Sequence, residues 1–155
     1  QFVKGRSDTG EEAFFRRQPG VHWHVGGEGF TWETQDKDRD AKAAQAAWDV
    51  ASGHLSDPAI GLVVLDEMTY AFKYGWLELD AVLTVLQARP AQQHVIITGR
   101  DAPQPLMDAA DTVSSAAETG RTCSSNSSIQ DLFMAGFRAH GPRGGERRRG
   151  GAPSW

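Results

Sequence analysis

The residues with the clearest chemical potential follow two strongly apolar runs. Asp66 and Glu67 come directly after Ile60–Leu65, and Arg100 follows His94–Thr98 after a single glycine. Both runs have the length and composition of buried parallel strands. Ligands bind beyond the carboxyl ends of such strands, so these side chains are expected to gather at one edge of a sheet. A carboxylate can coordinate Mg²⁺, and a guanidinium can donate hydrogen bonds to phosphate oxygens. These residues could therefore bind a polyphosphate together with its metal ion.

The apolar run that ends in Asp66-Glu67 is similar to a Walker B segment of P-loop nucleotide-binding proteins. Acidic residues after a strand also cap helices, and this pattern alone favours neither interpretation. No Gly-x-x-x-x-Gly-Lys-Ser/Thr loop occurs in the 155 residues. The nucleotide-binding hypothesis therefore requires such a loop before Gln1. We interpret the chain, which starts without methionine, as a fragment that begins within a strand, and Lys4 then follows this strand as a further basic group.

A glycine-rich loop carries two large aromatic side chains. Gly26, Gly27 and Gly29 permit unusual backbone angles, and Phe30 and Trp32 share one face if the segment is extended. Such a pair can cover a broad, flat apolar ligand. The alternative is that both rings anchor the loop in the core, and physical reasoning alone favours that alternative.

His22 and His24 have the His-x-His spacing of metal ligands and would face the same way in a strand. No third ligand is evident from the sequence, so a solvated strand face is the favoured interpretation.

The elements that must position these groups alternate between strands and helices. The predicted strands are Gln1–Lys4, Val21–Val25, Ile60–Leu65, His94–Thr98 and a weaker one around Thr112 and Val113. The predicted helices are Gly10–Arg17, Asp38–Gly53, Leu77–Ala88 and Pro103–Ala109. This alternation predicts an α/β fold with a mainly parallel sheet.

Composition narrows the class of protein. The net charge of −4 argues against general nucleic-acid binding, although five arginines crowd the last 18 residues. A disordered end is the favoured interpretation of that segment. No apolar run of about 18 residues predicts a membrane helix. A single cysteine, Cys123, excludes an internal disulfide and fits a reducing cytoplasm.

Several ordered motifs together resemble the corrinoid adenosyltransferases of the CobA/CobO/BtuR type. The match runs from Gln1 to about Val113. Its most specific pieces are Gln1-Phe2-Val3-Lys4-Gly5, Thr9-Gly10-Glu11, Gly29-Phe30-Thr31-Trp32-Glu33-Thr34-Gln35, Val63-Val64-Leu65-Asp66-Glu67, Ala88-Arg89-Pro90, Val95-Ile96-Ile97-Thr98-Gly99-Arg100 and Ala110-Asp111-Thr112-Val113.

The resemblance implies a P-loop (RecA-like) three-layer α/β fold whose N-terminal strand and phosphate loop are missing here. It implies transfer of the 5′-deoxyadenosyl group of ATP to the Co(I) of a reduced corrinoid, in cobalamin biosynthesis or salvage, with release of triphosphate. Glu67 would help to hold Mg²⁺, Arg100 and Lys4 would contact phosphate, and Phe30 and Trp32 would face the underside of the corrin ring. A cytoplasmic homodimer supplied with electrons by a reduced flavoprotein is expected, without nucleic-acid or membrane partners.

The chain also departs from the family pattern. Ser115 stands where a glutamate is usual, and Gln130-Asp131 lies at the approximate place of a Lys-His pair. We therefore expect a truncated nucleotide- and corrinoid-binding domain over residues 1–118 and a divergent, flexible tail over residues 119–155. The missing loop leaves open that this fragment is inactive. A non-catalytic corrinoid-binding module and a generic P-loop ATPase are the alternatives to the transferase.

Overall fold

The computed structural model describes residues 1–2, 10–26, 37–116 and 132–137. The helices are α1 (Gly10–Phe15), α2 (Lys37–Ser56), α3 (Thr69–Lys73), α4 (Leu79–Ala88) and α5 (Gln104–Ala109). The strands are β1 (Leu62–Leu65), β2 (His94–Arg100), β3 (Thr112–Ala116) and β4 (Leu132–Phe137). None of the helices in these ranges is both long and apolar enough to cross a membrane.

The four strands form one mixed sheet in the order β1-β2-β4-β3. β1 pairs with β2 in parallel, with Leu62 opposite His94. β4 lies between β2 and β3 and is antiparallel to both. β1, β2 and β3 therefore point in one direction and only β4 is reversed, which confirms the α/β class and brings the carboxyl ends of β1 and β2 to one edge.

The two long helices form because their apolar residues recur at helical spacing and can be buried together. Ala44, Trp48, Ala51 and Leu55 fall on one face of α2, and all four are buried. α4 buries Val82 and Leu86 in the same way. It ends at Ala88 because the next residue precedes Pro90 and is held in an extended conformation.

The core lies on one face of the sheet. Val63, Leu65, Val95 and Ile97 point into it from the two parallel strands and pack with the buried sides of the helices. The opposite face is less covered in the described part of the chain, where Leu62 is 53 % exposed and Val64 is 50 % exposed. The described residues thus form two layers, and the third layer of the expected three is not among them.

The sequence predictions for the other elements have mixed outcomes. Helices α1, α2, α4 and α5 and strands β1, β2 and β3 are confirmed, with shifts of one to a few residues at their ends. The strand predicted over Val21–Val25 is wrong. The alternation there reflects packing on α1, because the Trp23 ring stacks on Phe15 at 5.5 Å between centroids. Of the strand predicted over Gln1–Lys4, only Gln1 and Phe2 are described, and they form no strand.

Two elements had no counterpart in the sequence predictions. α3 follows the acidic pair within three residues, and β4 lies inside the segment that was expected to be a flexible tail. β4 buries Ala135 and Phe137 against the core. Its pairing with β2 and β3 adds this short segment to the folded unit.

Candidate functional site at the carboxyl ends of β1 and β2

A single hydroxyl joins the ends of the two parallel strands. Thr98, near the end of β2, donates its Oγ1 hydrogen to Asp66 Oδ1 at 2.6 Å. The same Oγ1 accepts the backbone N–H of Glu67 at 3.0 Å. Both bonds fix the turn that follows β1, so the direction of the Glu67 side chain is set by a residue of the neighbouring strand.

Asp66 is held by hydrogen bonds on both carboxylate oxygens. Thr98 donates to one oxygen and Gln1 Nε2 donates to the other at 2.8 Å. The Asp66 carbonyl also accepts the Phe2 N–H at 2.8 Å. Asp66 thus positions the first described residues of the chain at the end of β1, and each of its carboxylate oxygens already accepts one hydrogen bond.

Glu67 is the strained and under-satisfied member of the acidic pair. Its φ of 57° is left-handed, a conformation that is unfavourable for a residue with a Cβ atom. Its Oε2 atom is buried, and no group in the described part of the chain donates a hydrogen bond to it. A buried carboxylate oxygen without a donor is costly, and a bound cation would offset that cost.

The electrostatics of Glu67 agree with this geometry. Burial raises its pKa above the ordinary value of 4.5, and the neighbouring Asp66 charge raises it further. Arg100 acts in the opposite direction and lowers the pKa. The cation at the end of β2 therefore lies within electrostatic reach of the carboxylate at the end of β1.

The capping interpretation of the acidic pair is wrong. The N-cap residue of α3 is Met68, and no side chain makes a cap hydrogen bond there. Glu67 is half-buried and Met68, Thr69 and Tyr70 are buried. The helix that they lead into packs on β2, where Thr69 donates to the Arg100 carbonyl.

Gly99 and Thr69 hold the backbone that presents Arg100. Gly99 has φ 145°, and a Cβ atom built on it would lie 1.9 Å from Thr69 Oγ1. That hydroxyl donates to the Arg100 carbonyl at 2.7 Å. Only glycine permits this approach, which leaves the Arg100 side chain exposed at the edge of the sheet.

The sequence reasoning missed the contributions of Thr98, Thr69 and Tyr70. Burial raises the pKa of Tyr70, and the adjacent Glu67 charge raises it further. Thr98 and Thr69 could have been suspected, since each is a hydroxyl residue next to a strand end that carries a predicted site residue. Their hydrogen bonds span 31 and 32 positions in the sequence, so no local pattern reports them.

The predicted site residues divide into two groups. Glu67 and Arg100 lie at the carboxyl ends of the neighbouring strands β1 and β2, and their roles toward Mg²⁺ and phosphate stay predictions. Lys4, Phe30 and Trp32 lie outside the described residues. The last described residue before the aromatic loop, Gly26, donates its N–H to the Gln1 carbonyl at 2.8 Å.

Gly26 is thus linked to Asp66 through Gln1, which accepts the Gly26 N–H with its carbonyl and donates to Asp66 with its side chain.

Among the described residues, no group of three or more His, Cys, Asp or Glu side chains is arranged to hold a metal ion. A magnesium ion does not need such a cage, because one or two carboxylates and the phosphates of a nucleotide commonly suffice. The single unsatisfied oxygen of Glu67 fits that pattern.

Comparison with known proteins identifies relatives over most of the chain. Residues 1–130 match the family described as ATP:corrinoid adenosyltransferase BtuR/CobO/CobP. A corrinoid adenosyltransferase of Pseudomonas aeruginosa is 54 % identical over 140 residues, which are 90 % of this chain and 64 % of that protein.

Two enterobacterial proteins are similar over a shorter stretch. The corrinoid adenosyltransferase CobA of Salmonella typhimurium is 45 % identical and the corrinoid adenosyltransferase of Escherichia coli K12 is 41 % identical, each over 114 residues. These residues are 74 % of this chain and 58 % of each relative. The chain thus spans less than two thirds of the length of the relatives it matches.

Proposed function

The chain belongs to the ATP:corrinoid adenosyltransferase BtuR/CobO/CobP family, and on that premise we propose that the full-length protein transfers the 5′-deoxyadenosyl group of ATP to a reduced corrinoid. The electron pair of Co(I) attacks the 5′ carbon of ATP, a cobalt–carbon bond forms, and the carbon–oxygen bond to the triphosphate breaks. The observation that carries the proposal is Glu67, whose backbone is left-handed and whose buried Oε2 has no hydrogen bond among the described residues, within electrostatic reach of Arg100.

The departing triphosphate carries several negative charges, and their stabilisation is the main electrostatic demand of the reaction. Glu67 would hold Mg²⁺ through its free oxygen, and a bound Mg²⁺ supplies charge neutralisation of the phosphates. Arg100, exposed at the same edge, would donate to phosphate oxygens. Lys4, two residues beyond Phe2, would add a second cation, since Phe2 is already hydrogen-bonded to Asp66.

The arrangement is preorganised because each of these groups is held by the neighbouring strand. Thr98 fixes the Glu67 backbone, and the close contact of Gly99 with Thr69 fixes the Arg100 backbone. Groups that are oriented before the substrate arrives lose little free energy to reorganisation during the reaction. This explains why a left-handed glutamate and a tightly packed glycine occur side by side at this edge.

Phe30 and Trp32 would bind the corrinoid. By family resemblance, they would pack beneath the corrin ring and displace the lower axial ligand of cobalt. A four-coordinate cobalt is easier to reduce, because that ligand no longer donates electron density to the metal. Gly26 supports this placement, since it precedes the aromatic loop and lies next to Gln1 at the end of β1.

The natural corrinoid would be cobalamin or a precursor such as cobinamide. A homodimeric state, a cytoplasmic location and electron supply by a reduced flavoprotein accompany the proposal. All three follow from the family resemblance.

The test is an anaerobic assay of the full-length protein with ATP, Mg²⁺ and a chemically reduced corrinoid, with the cobalt–carbon product followed by absorbance. Glu67→Gln is expected to lower turnover by about 10²-fold, the scale on which one preorganised electrostatic contact acts. Glu78→Gln is the matched control, because Glu78 is exposed before α4. Phe30→Ala and Trp32→Ala should impair corrinoid turnover more than ATP binding.

Two outcomes would overturn the proposal in favour of its alternatives. ATP hydrolysis that needs no corrinoid would identify a generic ATPase. Corrinoid binding without any adenosylated product would identify a non-catalytic binding module. Equal activity of Glu67→Gln and Glu78→Gln would remove Glu67 from the mechanism and leave the family assignment intact.

A further inference from the structure

Three imidazole side chains come together outside the Glu67–Arg100 site. His22 and His24 belong to the extended segment before Gly26, and His54 lies in the last turn of α2. The Nε2 atoms of His24 and His54 are 3.3 Å apart. The ring centroid of His54 is 5.3 Å from that of His24 and 5.6 Å from that of His22.

Hydrogen bonds hold the backbone of two of the three residues, His24 and His54. His22 and His24 are two residues apart, and both rings lie beside that of His54, so the two side chains leave the backbone toward α2. The His24 carbonyl accepts the Gln1 backbone nitrogen at 2.8 Å. The His54 carbonyl accepts Nε2 of the buried Gln93 at 3.0 Å, which fixes the end of α2.

The spacing matches that of ligands around one metal ion. Two imidazole nitrogens about 2.0–2.1 Å from a tetrahedral Zn²⁺ lie about 3.3–3.4 Å from each other. The Nε2 separation of His24 and His54 is 3.3 Å. A hydrogen bond between two neutral rings would also give this distance, but it does not account for the third ring of His22 beside His54.

We propose that His24, His54 and His22 form a binding site for a divalent transition-metal ion such as Zn²⁺. As they stand, no three His, Cys, Asp or Glu side chains among the described residues are placed to hold a metal ion, and this includes the three histidines. The proposed site therefore requires a rearrangement, in which His24 and His54 keep their spacing and the exposed His22 side chain rotates to supply the third ligand.

The chemistry of the ligands selects the class of ion. Three imidazole nitrogens suit Zn²⁺, Ni²⁺ or Cu²⁺, whereas Mg²⁺ prefers carboxylate, phosphate and water oxygens. The histidine site is therefore expected to prefer transition-metal ions, whereas the Glu67 carboxylate is expected to prefer Mg²⁺. His22 and His24 are exposed, so water completes the coordination and the ion exchanges with solvent.

A bound ion would connect the segment that precedes the aromatic loop to the end of α2. It would therefore stabilise the folded protein in proportion to its occupancy. This inference does not depend on the proposed transferase activity.

The test is titration of the full-length protein with Zn²⁺ alone, in the absence of nucleotide, by calorimetry and by thermal unfolding. One ion per chain is expected, with a rise of the unfolding midpoint. His24→Asn and His54→Asn should each weaken binding by at least about tenfold, the lower bound for disturbing a metal's immediate surroundings. His94→Asn is the control, because it removes an imidazole of β2 that is not in the cluster. This variant should bind Zn²⁺ as tightly as the wild-type protein does.

Circular dichroism of each variant would verify that it is folded. Glu67→Gln should bind Zn²⁺ normally, which separates this site from the candidate active site. The proposal is overturned if the unchanged protein binds no Zn²⁺, or if the folded His24 and His54 variants bind it as well as the His94 variant does.

Discussion

Replacement of Glu67 by alanine is expected to stabilise the folded protein while it removes activity. The Glu67 carboxylate has a buried oxygen without a hydrogen-bond partner, and such groups destabilise proteins by about 1–3 kcal/mol. The side chain is only partly buried, so we take the lower end, about 1 kcal/mol. For a domain of this size, that gain raises the unfolding midpoint by roughly 2–4 °C.

Replacement of Glu67 by glycine adds a second gain. The left-handed φ of 57° disfavours any residue with a Cβ atom by about 1–2 kcal/mol. Glycine recovers this free energy but loses part of it to the greater entropy of the unfolded chain. We expect Glu67→Gly to be more stable than Glu67→Ala by up to about 1 kcal/mol.

The stability gained by Glu67→Ala should depend on pH in a defined direction. A carboxyl group whose folded pKa is raised destabilises the protein when it is ionised, and the penalty disappears when it is protonated. The pKa of Glu67 is raised, first by burial. The advantage of Glu67→Ala should therefore be full at pH 7.5 and should shrink as the pH falls through the raised pKa toward 4.5.

The assay is urea unfolding followed by circular dichroism at several pH values between 4.5 and 7.5, with Glu78→Ala as the control. Glu78 is exposed, so its replacement should change stability little at any pH. The reasoning is refuted if Glu67→Ala is less stable than the unchanged protein at pH 7.5. It is also refuted if the difference between the two is independent of pH.

Three further perturbations test how the site and its surroundings are held. Gly99→Ala should destabilise by about 3 kcal/mol or more in urea unfolding, because the added Cβ would clash with Thr69 at a φ of 145°. Thr98→Val should lose about 2–3 kcal/mol in the same measurement, since it removes a charge-assisted hydrogen bond and leaves a backbone N–H unpaired. The pKa of His24, which is exposed but partly desolvated, is lowered first by that desolvation and then by the charge of His54. Folding stability should therefore fall as the pH drops below 6.5, and His24→Asn should flatten that fall.

Each of these predictions has a result that contradicts it. Thr84→Val is the control for Thr98→Val, because Thr84 is exposed on α4 and its hydroxyl bonds only within that helix. Equal losses for the two threonine variants would remove the special role of Thr98. A Gly99→Ala protein with unchanged stability would show that Thr69 can move away. A His24→Asn protein with the same acid sensitivity would assign that sensitivity to other groups.

The sequence predicts those parts of the fold that depend on local spacing. α2 and α4 follow from apolar residues at three- and four-residue intervals, and the end of α4 follows from Pro90. β1 and β2 follow from short, nearly continuous apolar runs. In each case the residues that decide the element lie within a few positions of one another.

The elements that were missed depend on distant partners. β4 is a short apolar run, Leu132–Phe137, and such a run does not by itself distinguish a strand from part of a helix. It is a strand because β2 and β3 flank it. The segment Val21–Val25 shows the converse. Its alternation is typical of a strand, but Trp23 packs on α1, and the segment forms no ladder with any described strand.

The same distinction explains the candidate site. The rule that ligands bind beyond the ends of parallel strands needs only the two apolar runs, and it correctly brings Glu67 and Arg100 to one edge. The properties that set Glu67 apart arise from pairing. Its backbone N–H donates to Thr98, both oxygens of its neighbour Asp66 accept hydrogen bonds, and its own Oε2 has no donor among the residues that the structure describes. Because the register of β1 against β2 places Thr98 beside Asp66, one residue of slip would remove both hydrogen bonds. The sequence alone thus identifies the acidic pair. The pairing of β1 with β2 determines that Asp66 is hydrogen-bonded while one oxygen of Glu67 is left for a ligand.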